Sequence, residues 1–465
     1  MIARTAVAIL AVAFLGFGCR SDDEAPAISG VVSIQGAGLA EVTVSLSGAM
    51  EATTATDASG RYRFPVGADA TYSVSPAKAG YVFSPAARPV AVGNLEASGN
   101  DFAGKLAPVP EAIELPQTGQ VLVRGKGDDG DVRAGVPWPH PRFADNGDGT
   151  VGDRLTGLVW LKNADCHGTK NWDGALAAAN GLAAGACGLA DGSRPGDWRL
   201  PNINEIASLI SLASILPAIP TTAGSTTFAN VRSTYYWSST TTAATDYYAW
   251  MAYLDMGYLD VVSKVQALHV WPVRDGAVPG TIRLPRTGQT VSYAVGDDGY
   301  LQAGAAWPQP RFTDNRDGTI TDRLTALVWL RNANCLDETV AGVSKQRFHG
   351  LLIWTQALSW TGGLASGSCG LTDGSRPGDW RLPNRNEVAS LVDRSRVDPA
   401  LSAGGLLDNV DLDGYWSASS LPPYPPPTAA IIPWFVYMGD ARVTVGQVTG
   451  YSDLFYVLPL RSRRP

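Results

Sequence analysis

The chain has 465 residues, of which 17% are charged, with 51 glycines, 31 prolines and a formal charge of −7. That length exceeds one ordinary core, the glycine and proline content suits short strands better than long helices, and no basic face is present for a nucleic-acid partner. The whole negative excess lies before residue 276; the remainder is neutral and rich in arginine.

In chain order, residues 1–18 carry Arg4 and an apolar run from Ala6 to Phe17, too short to cross a bilayer as a mature helix, and read as a signal peptide. The stretch LGFGC, ending at Cys19, resembles the lipobox of bacterial lipoproteins, whose cysteine becomes the acylated first residue. Gly16 stands where that pattern prefers Leu, so plain secretion is the alternative. Arg20 after the cysteine resembles the pattern of lipoproteins sent to the outer membrane. The resemblance implies lipidation at Cys19, a membrane partner through that anchor, and an outer-membrane or cell-surface location. Residues 19–26 then read as a polar tether.

Residues 27–104 alternate apolar and polar at period two (Val42, Val44, Leu46; Tyr62, Phe64; Tyr72, Val74), with turn signals between, which predicts a small antiparallel β-sandwich. The phrases ISGVV, GLAEVTVSL, TDASGRYRF and KAGYVFSP resemble the carboxypeptidase regulatory-like (transthyretin-like) domain, which implies a spacer or binding module without catalysis of its own. Residues 105–114 read as a linker.

The rest is written twice, as residues 115–275 and 284–465, with a linker at 276–283. LPQTGQ at Leu115 returns as LPRTGQ at Leu284, and GDWRLPNINEIASLI at Gly196 returns as GDWRLPNRNEVASLV at Gly378. Each GDWRLPN reads as a short strand, a stop at Pro201 or Pro383, and a helix capped by Asn204 or Asn386, with Asn202 or Asn384 as the alternative cap. Further helices are expected over Trp172–Leu182 and Trp354–Leu364. The second copy inserts a polar segment around Asp337 to Gly350 and a proline-rich one after YWSA. The expected architecture is multidomain: an all-β sandwich followed by two tandem α+β domains.

The cysteines after Cys19 fall as one pair per copy, Cys166 with Cys187 and Cys335 with Cys369, which in an exported chain argues for two disulfides. The loops Asp145–Thr150 and Asp314–Thr319 are oxygen-rich and capable of holding calcium, yet they miss the EF-hand spacing, and Asp-Gly is a hairpin signal by itself. No metal site or other cofactor is assigned. The four histidines have no histidine counterpart in the other copy, which argues against imidazole chemistry in a repeated site. Aromatics crowd the stretches after YWSS and YWSA; most suit a core, while Tyr247, Tyr248 and Tyr424 flank loops and are the candidate ligand-binding residues.

The ordered string RF-x-DN-x-DGT-x-x-DRLT-x-LVWL, the cysteine pair, GDWRLPN-x-NE, YWSS or YWSA, and a closing strand with Pro-x-Arg resemble the Lcl C-terminal-domain family in both copies. The WRLP corner also resembles the C-type-lectin-like fold shared with formylglycine-generating enzymes. The resemblance implies two C-type-lectin-like domains and an extracellular glycan or protein ligand, hence a non-enzymatic surface adhesin. The alternatives are an enzyme on the formylglycine-generating scaffold and a structural envelope protein.

Overall fold

Alternation of burial along the strands builds the first unit, which ends at Pro108. In the computed structural model, which describes residues 26–34, 36–78, 81–106, 112–220, 227–338, 350–402, 405–423, 431–446 and 453–462, this unit holds two sheets. One pairs Ala27–Ile34 with Arg61–Pro65 and, in parallel, with Phe102–Leu106. The other runs Ala52–Ala55, Thr43–Gly48, Ala70–Ala77, Arg88–Val92, all antiparallel. Val44, Leu46, Tyr62, Phe64, Tyr72 and Val74 all turn inward into one core, as their period-two spacing requires. The signal-peptide stretch with Cys19, Tyr424 and most of the second copy's polar insertion lie outside the described residues. No helix among the described residues is long and apolar enough to cross a membrane.

The second unit, Val109–Pro465, contains both copies. Among the described residues it is rich in strand, with six short α-helices: α1 (Asp129–Val132), α2 (Trp172–Asn180), α3 (Ile203–Ser208), α4 (Asp298–Leu301), α5 (Trp354–Gly363) and α6 (Arg385–Ser390). The GDWRLPN corner differs from its sequence reading in two respects. Its extended part makes only an isolated bridge, Arg199 to Val273 and Arg381 to Leu460, because the proline and the helix cap end the run at once. The cap is Asn202, not Asn204: its side chain accepts from Glu205 N–H while Glu205 accepts from Asn202 N–H, and Asn384 with Glu387 repeats this capping box. Glu205 and Glu387 are in turn gripped bidentately by Arg199 and Arg381, so each Trp-Arg-Leu-Pro-Asn-x-Asn-Glu string closes on itself. Ile206, Leu209 and Ile210, like Val388, Leu391 and Val392, face the core as their spacing predicts.

A four-stranded sheet stands beside each corner: Phe143–Asp145, Thr150–Asp153, Leu158–Leu161 and Val273–Asp275 in the first copy, Phe312–Asp314, Thr319–Asp322, Val328–Leu330 and Leu460–Arg461 in the second. Its hairpin is fastened by a buried ion pair. Arg142 reaches Asp153 through two hydrogen bonds, 2.9 and 2.7 Å, and donates to Ser208 O at the end of α3. Arg311, Asp322 and Ser390 O do the same in the second copy.

The sequence divides the repeats as consecutive modules joined by a linker; the chain instead interlocks them. One eight-stranded sheet runs Thr169–Lys170, Leu268–His269, Tyr235–Thr241, Tyr248–Tyr253, Tyr258–Ser263, Val443–Val445, Pro433–Tyr437, Gly414–Ser420, and the copies join where Leu259 pairs with Val443. One hydrophobic cluster contains Trp160 and Trp250 of the first copy together with Trp329 and Trp434 of the second. Each copy also lends the other its leading segment. Asn204 Nδ2 donates to Pro285 O and Asn386 Nδ2 to Pro116 O, so the asparagines free of capping duty clip the exchanged segments. Asp129 on α1 accepts from Ser419 Oγ at 2.6 Å, and Asp298 on α4 accepts from Thr240 Oγ1 at 2.7 Å. The expected linker is structured: Ile282 is buried and donates its N–H to Leu155 O. The one buried side chain, Ile282, and backbone bonds from Gly276, Thr281 and Ile282 to Gly157, Arg154 and Leu155 lay both ends of residues 276–283 against the first copy.

Both expected disulfides are present, with Cα separations of 5.8 Å for Cys166–Cys187 and 5.4 Å for Cys335–Cys369. Removing the first with Cys166→Ala and Cys187→Ala should lower the unfolding free energy by about 3 kcal/mol, the loop-closure entropy of a ring this size. Denaturant unfolding of the double variant checks it; an unchanged midpoint would mean that the unfolded chain keeps this loop closed by other means.

Candidate functional site

The hairpin between Tyr235–Thr241 and Tyr248–Tyr253 ends in a loop whose N-terminal side is buried: Thr240, Thr241 and Thr242 are all sequestered. They are covered by the second copy's leader. Gln289 Nε2 donates to Thr241 O, and α4 docks on the same strand through Asp298 and Thr240. The other side of the loop is open, with Tyr247 73% and Tyr248 43% exposed. Two of the candidate ligand-binding tyrosines are therefore surface groups; the third, Tyr424, lies outside the described residues.

Lys264 organises this end of the molecule. Its N–H donates to Tyr247 O, its carbonyl accepts from Trp172 N–H, and its Nζ lies 3.7 Å from the Trp172 ring centre and 5.0 Å from that of Tyr293. A cation held over two ring faces fixes both rings and is itself half-buried. Burial pushes the Lys264 ammonium down, while the charges of Asp173, Asp297 and Asp246 oppose this. Tyr293 belongs to the second copy's leader, and Tyr300, 60% exposed, stands on α4 of the same leader. The Lys264 clamp is thus composite, with Trp172 and Lys264 from one copy, next to the exposed Tyr247 and Tyr248, and Tyr293 from the other, whose leader carries a further exposed tyrosine, Tyr300. The sequence gives no signal for Tyr293 and Tyr300, because their positions in the first copy are Arg124 and Asp131 and their location depends on the exchange. The first copy's leader exposes Val121, Leu122, Val123 and Val132.

The oxygen-rich loops are turns whose carboxylates already have partners. Asp148 Oδ1 accepts from the N–H and Oγ1 of Thr150, and Asp145 accepts from Gly147 N–H and Lys162 Nζ. Asp317 and Asp314 repeat the pattern with Thr319, Arg316 and Arg331. Among the described residues, no group of three or more His, Cys, Asp and Glu side chains is arranged to hold a metal ion.

One histidine has a catalytic look. His269 Nδ1 lies 2.6 Å from Asp165 Oδ1, and Arg232 Nε donates to Asp165 Oδ2 at 2.6 Å. The ring also packs on Tyr236. In the second copy the histidine is replaced by Tyr456, whose hydroxyl donates to Asp411. In both copies the group ties the strand after the YWS string to its neighbours, so it reads as a tether.

Against known proteins, a family model described as the Lcl C-terminal domain matches residues 149–274 and again 318–461. No curated protein matches the chain.

Proposed function

Since the chain belongs to the Lcl C-terminal domain family through both of its repeats, we propose that it is a non-enzymatic surface protein that binds glycans on the tyrosine face at the first repeat's hairpin end. The observation that carries this reading is the composite clamp itself: Lys264 lies over a ring from each copy, Trp172 and Tyr293, its backbone bonded to that of the exposed Tyr247, with Tyr248 exposed on the same hairpin and Tyr300 on the leader that supplies Tyr293. Aromatic rings with a polar tip suit sugars, whose C–H faces stack on the ring while their hydroxyls exchange hydrogen bonds with the rim. Asp173, Asp246 and Asp297 surround Lys264, and the first repeat is acidic, which disfavours sulfated polymers and favours neutral glycans.

Each repeat is read as C-type-lectin-like. Support comes from the WRLP corner, an antiparallel sheet flanked by α2 and α3 or by α5 and α6, and an internal disulfide in each. The first unit is read as a carboxypeptidase regulatory-like spacer and Cys19 as the lipid anchor that holds the protein at the cell surface.

A glycan array probed with the whole chain tests the reading. Binding to neutral glycans is expected, and Tyr247→Ala with Tyr300→Ala should weaken it on the order of tenfold or more at unchanged melting temperature. Silence across the array, or binding indifferent to both tyrosines, would refute the glycan reading; capture of a purified protein ligand in its place would move the site to protein recognition.

A further inference from the structure

Between α3 and α6, where the two copies face each other, lies a cavity of about 90 Å3 lined from both repeats. One water needs roughly 10–15 Å3 of such space, so there is room for a larger group. Most wall positions are the same residue in each copy, as with Leu115 and Leu284, Pro116 and Pro285, or Asn204 and Asn386. Three are not. Arg286 stands where the first copy has Gln117, Arg385 where it has Ile203, and Arg394 where it has Leu212; all three arginines line the cavity, and no carboxylate does.

The guanidinium groups are poorly satisfied by the protein alone. Arg385 is 3% exposed, donates through Nη2 to Gly257 O at 2.6 Å and stacks over Trp434 at 4.5 Å, but its Nε is buried without a partner. Arg394, also 3% exposed, donates to Ala441 O and stacks 3.9 Å from the Trp250 ring centre. Arg286 donates to Gln302 Oε1, and its Nε is likewise buried and unpartnered. Burial pushes the Arg385 guanidinium down to about 9, with no acidic neighbour to oppose it; Arg394 is held at about 9 as well, with Asp440 opposing. Both remain cationic at neutral pH. Buried cations need an opposite charge and full hydrogen bonding, and this wall supplies neither.

We propose that the cavity is a binding site for a small oxyanion, a phosphate, sulfate or short carboxylate, which Arg286, Arg385 and Arg394 hold between the repeats. The planar guanidinium fork matches such oxygens bidentately, and three such groups line one wall that holds no carboxylate. The proposal is independent of the glycan reading, since it concerns the interior of the repeat pair and not the tyrosine face.

Calorimetric titration of the whole chain, dialysed into chloride buffer, with inorganic phosphate, sulfate or acetate at constant ionic strength tests it. One saturable site is expected for at least one of the three anions, with a matching rise in melting temperature. Arg385→Ile with Arg394→Leu installs the first copy's residues and should weaken binding on the order of thirtyfold or more, the cost of removing partners from a buried charge cluster. Arg286→Gln, at a half-buried position, keeps the test decisive if the double variant does not fold: weaker binding by this variant supports the site, and unchanged binding overturns it. Heats that follow ionic strength alone, with no saturation by any of the three anions, also overturn it.

Discussion

Replacing Asp153 by Ala is expected to cost about 3–5 kcal/mol of unfolding free energy, and Asp322→Ala the same in the second copy. The Asp153 carboxylate accepts from Arg142 Nε and Nη2, from Leu155 N–H and from Thr156 Oγ1, and it is 2% exposed. Truncation leaves the Arg142 guanidinium buried against Trp138 and Phe143 with its opposite charge gone. The same guanidinium ties the hairpin to Ser208 O, so the loss spreads to α3 and the wall of the repeat interface. Because the two copies share a sheet and a core, they should unfold in one transition whichever copy carries the change. Denaturant unfolding followed by tryptophan fluorescence checks both points. Lys162→Ala is the control: its pair with Asp145 is about 40% exposed on each side, so its loss should leave the unfolding midpoint nearly unchanged. An Asp153→Ala variant as mildly affected as the control would mean that the buried pair contributes little beyond what water restores.

Legibility from sequence followed the range of the interaction. The inward sets of the first unit were readable because alternation is local, and Tyr62, Phe64, Tyr72 and Val74 could hardly point otherwise. The apolar stripe Ile206, Leu209 and Ile210 was readable for the same reason. One cysteine pair per copy sufficed for the disulfides, since no competing partner existed. The choice of Asn202 over Asn204 was readable but missed, because only Asn202 has a glutamate three residues on, Glu205, to reach back and close a capping box. The exchange of leaders left no mark at all. LPQTGQ and LPRTGQ differ in one residue, and nothing near Asp129 or Asp298 announces that the hydroxyl it meets lies in the other copy. The composite tyrosine face and the arginine-lined cavity both follow from that exchange, so both were hidden until the copies were seen together.

The exchange also makes a pH prediction. Burial is the largest influence on Asp129 and Asp298 and pushes each from its ordinary 3.8 up to about 6. Hydroxyls from Ser419 and Thr118, or from Thr287 and Thr240, pull back, while the neighbouring charges of Glu387 and Asp128, or Glu205 and Asp297, push further up. Each folded carboxyl therefore holds its proton more tightly than the unfolded chain does. The stability this confers is complete below about 3.8 and is lost as pH rises through about 6, on the order of 3 kcal/mol per carboxyl. Asp165 and Asp191 have the opposite sign: their folded carboxyls lie below the ordinary value, with Arg232 and His269 or Ser193 and Arg274 holding the charge, so their contribution fades only as pH falls under 3.8. The two effects occupy different windows; between pH 4 and 7 the decline from the two leaders is joined by Asp260, whose carboxyl burial also pushes up, and opposed by His167, whose imidazole burial pushes down. Asp129→Asn with Asp298→Asn keeps the shape and removes the titration, since the facing hydroxyls can rotate to accept from the amide. The double variant should lose most of the parent's slope across that window and at neutral pH be at least as stable as the parent, whereas Asp298→Ala, which strands Thr240 and Thr287, should be less stable at every pH. Melting curves from pH 4 to 8 decide it, and a variant that keeps the parent's slope would place the titrating group elsewhere.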